Sequence, residues 1–128
     1  MLLAMPVERA HEHPAFELGG NTITSLAAPA RGSAETALFR ADLPAGSGLP
    51  PHRHDHFDVF TVTGGGCEMY LGDDVFTLVP GDSVVVPPGE LHWLEAGSDG
   101  ASIIVTMLGG TLFIREDDGT QIAPPWVS

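Results

Sequence analysis

Lysine is absent from the 128-residue chain, and only 5 arginines stand against 17 acidic residues, leaving a net charge of −12. Without a side-chain amine there is no Schiff-base catalysis, no covalent pyridoxal phosphate and no Walker-type phosphate loop. So acidic a chain repels phosphate backbones and anionic lipid, and neither nucleic acid nor a membrane is expected as a partner. The single cysteine, Cys67, cannot form an intramolecular disulfide and reads as a small buried side chain in a strand, so nothing points to an oxidising compartment. No run approaches the ~20 apolar residues of a membrane span. The apolar start, Met1 to Met5, lacks a basic flank and is cut by Pro6 and Glu8, short of the ~7–15 apolar residues of a signal peptide. A cytoplasmic protein is expected.

Hydrophobic residues make up 43% of the chain, with 16 Gly and 11 Pro, too apolar for disorder and too turn-rich for a helical bundle. The length suits one domain. Residues 1–20, with Pro6, Pro14 and Gly19-Gly20, read as an irregular N-terminal arm. From Asn21, short runs rich in Val, Ile, Thr, Leu and Phe alternate with Gly/Pro turns, the rhythm of an all-β sandwich or small barrel. The pattern places strands at 22–27, 36–43, 58–63, 67–71, 75–79, 83–87, 92–95, 102–108 and 111–115. Residues 44–51, 64–66 and 96–100 are among the separators, and Gly72 to Asp74 suits a short hairpin. The tail, 116–128, is polar and then Pro-rich, with Trp126 as a docking anchor.

The chemistry lies in the histidines. His52 and His54 sit two apart, so in an extended strand they share a face and can share one cation. Asp58 continues that parity as an oxygen donor if the strand runs on, and His56 shares the parity too. A lone strand histidine is ordinarily a satisfied polar residue, which suits His11 and His13. Burying His52, His54 and His92 with no cation would instead cost several kcal/mol in desolvation.

Two spaced motifs run through this region. Gly46 is followed after five residues by His52-Arg53-His54, then after three by Asp58, then after six by Gly65. Gly81 is followed after five residues by Pro87-Pro88-Gly89, then after two by His92. Fifteen residues, 66–80, lie between them. Over residues 21–115 the chain resembles the cupins, with Asp58 where that family has Glu and Ala96 where it has Asn. The resemblance implies a double-stranded β-helix, or jelly-roll barrel, in a single domain. It also implies one divalent transition metal (Fe, Mn, Ni, Co or Zn) held by His52, His54, Asp58 and His92, with His56 the alternative fourth donor, near the rim.

Strand alternation puts Phe60, Val62, Met69, Leu71 and Leu94 on the inner face, an apolar wall for a small apolar or aromatic molecule. His56 and Glu90 are the candidate general bases at the mouth. Among cupins the description resembles small dioxygenases acting on flavonol-like or diketone compounds, and equally polyketide cyclases or isomerases using the metal as Lewis acid. A non-catalytic small-molecule binder is the third reading. Metal affinity is expected to weaken below pH ~6.5, the ordinary histidine pKa. Trp93, Trp126 and the apolar N-terminal run, if all exposed, predict a homodimer.

Overall fold

The computed structural model describes residues 7–128, so the apolar run at the extreme N-terminus lies outside the described residues. Ten antiparallel strands form one sheet that curls into a half-barrel. They are β1 (Ala15–Leu18), β2 (Asn21–Ala27), β3 (Thr36–Leu43), β4 (Gly48–His54), β5 (Asp58–Leu71), β6 (Asp74–Leu78), β7 (Ser83–Val86), β8 (His92–Leu108), β9 (Phe113–Arg115) and β10 (Gln121–Ile122). The path β1-β2-β3-β8-β4-β9-β10 carries most of the sheet, and β5 joins β8 to β6 and β7. No helix among the described residues is long and apolar enough to cross a membrane.

The separators at 64–66 and 96–100 turn out to be corners inside two long strands. β5 and β8 bend together and stay paired, with register shifts between Val62 and Gly64 and between Gly65 and Cys67. Gly65 makes this possible: its φ is +65°, and a Cβ there would lie 2.0 Å from the Gly100 carbonyl oxygen. Only glycine lets the two backbones meet so closely while the ladder continues.

β4 begins earlier than the sequence suggests. Pro50 and Pro51 lie inside it, where its ladder to β8 shifts register between Leu49 and His52, since neither has an N–H to donate. The arm also contributes more than an irregular lead, because β1 pairs with β2 and packs Phe16 and Leu18 on the core. The Gly72 hairpin forms as expected, with Leu71 opposite Asp74.

Inward residues follow the alternation along β5, where Asp58, Phe60 and Val62 are buried. The tail closes the base of this core. A 3-10 turn over Pro125–Val127 buries Trp126, whose indole lies 5.8 Å from Phe16 and 6.3 Å from Phe113. Trp126 is therefore core, and only Trp93 remains of the two tryptophans expected at the surface. Trp93 is half-buried and stacks at 4.8 Å on Tyr70, its partner across the β5–β8 ladder.

Candidate metal centre

β4 and the start of β8 carry the histidines. His52 faces His92 directly in the β4–β8 ladder, and His54 follows two residues on, on the same face. Ring centroids are 4.2 Å apart for His52 and His92, 4.7 Å for His52 and His54, and 5.0 Å for His54 and His92. One nitrogen from each of the three lies within 4.8 Å of the others.

Backbone carbonyls set the tautomers. Nδ1–H of His52 donates to Pro50 O (2.7 Å), that of His92 to Glu90 O (2.9 Å) and that of His54 to Leu112 O (3.3 Å). Each ring is thus left with the Nε2 lone pair free, the arrangement that orients histidine ligands. The supports are themselves anchored. Arg53, between the two histidines, points the other way and donates from Nη1 to Gly89 O (3.0 Å). Gly89, at φ +78°, donates its own N–H to His54 O (2.9 Å). The Pro87-Pro88-Gly89 turn is thereby tied to β4 just ahead of His92. Asp55 accepts the Leu112 N–H at 2.8 Å, fixing the residue whose carbonyl holds His54.

Asp58 opens β5 facing the same space. Its Oδ2 is 3.6 Å from His54 Nε2, and its buried Oδ1 has no hydrogen-bond partner. Burial disfavours charge on this pair: it pushes the Asp58 carboxyl up to about 7 and, with neighbouring His52 and His92, brings His54 down to about 3. Burial, then His52, lowers His92 to about 4, and burial lowers His52 as well. Three neutral imidazoles with free Nε2 atoms could hold a divalent transition metal, and an orphaned carboxyl oxygen lies beside them. A cation there would satisfy Asp58 Oδ1, one of two buried side-chain atoms, with Trp126 Nε1, that lack a partner among the described residues.

The cluster lies in the wall of a cavity of about 290 Å³. Of the five side chains expected to line it, Phe60 and Leu94 do so, joined by Ile103, Val105 and Met107. Val62 and Met69 are buried in the core away from the cavity, and Leu71 packs half-buried against that core. They share the inward parity of Phe60, but parity selects a face of the sheet and not a depth along the barrel.

Neither expected general base lines the cavity. His56 is exposed in the turn between β4 and β5, beside a separate shallow groove with Glu35, Thr36 and Phe57. That turn breaks the strand parity, so His56 leaves the ligand face and Asp58 regains it. Glu90 is exposed, and only its carbonyl serves the site. His11 and His13 also lie outside the cavity.

The sequence reading missed Phe113, Arg115 and the tail residues Ile122, Pro124 and Trp126, all of which line the cavity. Phe113 stands edge-on to His54 at 4.2 Å and parallel to His52 at 5.7 Å. The strand signal at 111–115 was visible, but not its pairing with β4, which sets Phe113 opposite His54 and Arg115 opposite His52.

A curled antiparallel half-barrel with three histidines converging beside an apolar cavity defines a class of metal-site β-proteins. The Cupin domain family model matches residues 39–109, and the chain belongs to this family as a single cupin domain with the jelly-roll fold. It is 44% identical over 63 residues to acireductone dioxygenase 1 of Nocardia farcinica, a match covering 46% of this chain and 33% of that protein. The match thus spans about a third of that relative's length. Among solved structures, an RmlC-like cupin from Shewanella frigidimarina superposes with a TM-score of 0.71 at 21% identity, covering 82% of this chain and 91% of that one. The polyketide cyclase RemF of Streptomyces resistomycificus gives 0.72 at 19% identity, covering 90% and 89%. At these identities the two structures speak for the fold alone.

Proposed function

We propose that this cupin is a metal-dependent dioxygenase acting on a small apolar or aromatic molecule held in the barrel. The observation that carries the reading is the convergence of three carbonyl-oriented imidazoles on an apolar cavity. Its partial likeness to a dioxygenase favours redox chemistry over the other cupin activities. His52, His54 and His92 hold the metal through Nε2, and Asp58 supplies a carboxylate oxygen. Bound there, a redox-active divalent metal supplies Lewis acidity and the one-electron chemistry that O₂ requires. Phe60, Leu94 and Phe113 orient the ligand's apolar body and exclude water.

A second reading, a cyclase or isomerase, draws support from Asp58. Unligated, a carboxyl with a pKa of about 7 can hold or release a proton at Oδ2 inside the cavity. In a third, the metal only anchors a bound molecule.

The test is O₂ uptake by protein reconstituted with Fe, Mn, Ni, Co or Zn in turn, against flavonol-like and diketone compounds. The expected result is uptake that depends on a redox-active metal. Metal-dependent substrate conversion without uptake would favour the cyclase, and a raised Tm without any conversion the binding module. Phe60→Ala is expected to lower turnover by up to ~100-fold, the effect of a ~1 Å misplacement, with metal content unchanged.

A cytoplasmic homodimer, associating through the sheet face that carries Trp93, completes the proposal. Light scattering is expected to give twice the chain mass, and a monomer across micromolar concentrations would exclude it.

A further inference from the structure

One cation, exposed at the rim of the cavity, is not used by the metal site. Arg115 lines the cavity and lies opposite His52 in the β4–β9 ladder, so its side chain emerges on the histidine face. None of the other four arginines lines the cavity. Arg31, Arg40 and Arg53 are paired elsewhere, with Glu8, Asp42 and Glu116.

The guanidinium is held by one edge only. Its Nε and Nη2 donate to the two carboxylate oxygens of Asp117 at 3.1 and 2.7 Å. A guanidinium has five N–H donors, so the end-on edge, one N–H from each of Nη1 and Nη2, keeps its capacity for a second planar acceptor. Backbone bonds brace the residue: Arg115 N–H donates to Thr120 O (3.0 Å), and Gly119 N–H donates to Arg115 O (2.9 Å). A braced, half-engaged guanidinium is a preorganised partner for a carboxylate. If Arg115 only covered apolar surface with its methylene stem, ligand charge would not matter.

We propose that Arg115 is the specificity residue of this cavity, receiving the carboxylate of a ligand whose remaining body is apolar. The substrate class thus narrows from apolar molecules in general to small apolar or aromatic carboxylates. The inference rests on the reading of the cavity as the ligand site, and it is independent of whether O₂ is consumed.

Calorimetric titration of the zinc-loaded protein with benzoate and with benzyl alcohol tests it. The parent is expected to bind benzoate about 10- to 100-fold more tightly, the range of charge-assisted hydrogen bonds. Arg115→Gln is expected to bring the two affinities together, Arg115→Lys to restore part of the preference, and Arg40→Gln to leave it intact. Zinc content and circular dichroism, unchanged in all three, establish that the variants are folded. A preference that survives in Arg115→Gln would place the carboxylate on the metal and overturn the proposal. Equal affinities in the parent overturn it too, while leaving the cavity as a ligand site. If neither probe binds at millimolar concentration, the ligand-site reading falls and this proposal with it.

Discussion

His92→Ala is expected to purify without metal, where the parent carries one ion per chain. His92 supplies one of three converging nitrogens, and its ring is held by the Glu90 carbonyl at the end of a turn that Arg53 ties to β4. Losing only an outer partner of a ligand costs ~10–100-fold in affinity, and losing the ligand itself costs more. Elemental analysis after gel filtration measures this directly. A linked effect appears in stability, because an ion at 100 times its Kd stabilises the parent by about 2.7 kcal/mol and the variant not at all. Asp58→Ala is expected to behave similarly, and Asp58→Glu to retain metal. Stoichiometric metal in His92→Ala would refute the proposed centre.

The second large effect is the dependence of the metal-free protein on pH. His54 and His92 have folded pKa values of about 3 and about 4 against an ordinary 6.5. Below pH 6.5 the unfolded chain therefore gains two protons that the folded chain refuses, and stability falls with pH. Asp58 works in the opposite sense. Its folded pKa of about 7 against 3.8 makes the folded chain hold a proton the unfolded chain has lost. Two protons against one leave a net of one between pH 6.5 and about 4, so stability drops by about 1.4 kcal/mol per pH unit. His52, also lowered by burial, steepens the fall. Above 6.5 the unfolded histidines lose their remaining protons while Asp58 loses its own near 7, and the two opposing trends nearly cancel. Urea unfolding is therefore expected to show stability level above about pH 7 and falling as pH drops below 6.5, and Asp58→Asn to steepen that fall to about 2.7 kcal/mol per pH unit. A flat profile from pH 4.5 to 7.5 would contradict the buried neutral cluster.

The same values revise the expectation that metal affinity weakens below pH ~6.5 through histidine protonation. In the folded cavity His54 and His92 are neutral down to about pH 4, and the proton that competes with the metal sits on Asp58. Burial, which no local sequence pattern reports, makes the difference.

The sequence by itself determined which histidines share a face and which family the chain joins. His52 and His54 alternate onto one side of an extended segment whatever surrounds them, and the spacings through Asp58, Gly81, Pro87 and His92 identify the family. The inward faces of β5 and β8 were readable for the same reason, since side-chain alternation is a property of the strand alone. Tertiary structure decided where along the barrel the space lies, keeping Phe60 and Leu94 at the cavity and sending Val62 and Met69 into solid core. It also brought Phe113 and Arg115 beside the histidines, folded Trp126 beneath them and supplied the Leu112 carbonyl for His54. These contacts join segments about 60 residues apart in the chain, as with Leu112 and His54. They depend on the register between strands, which is settled only when the whole sheet closes around its buried side chains.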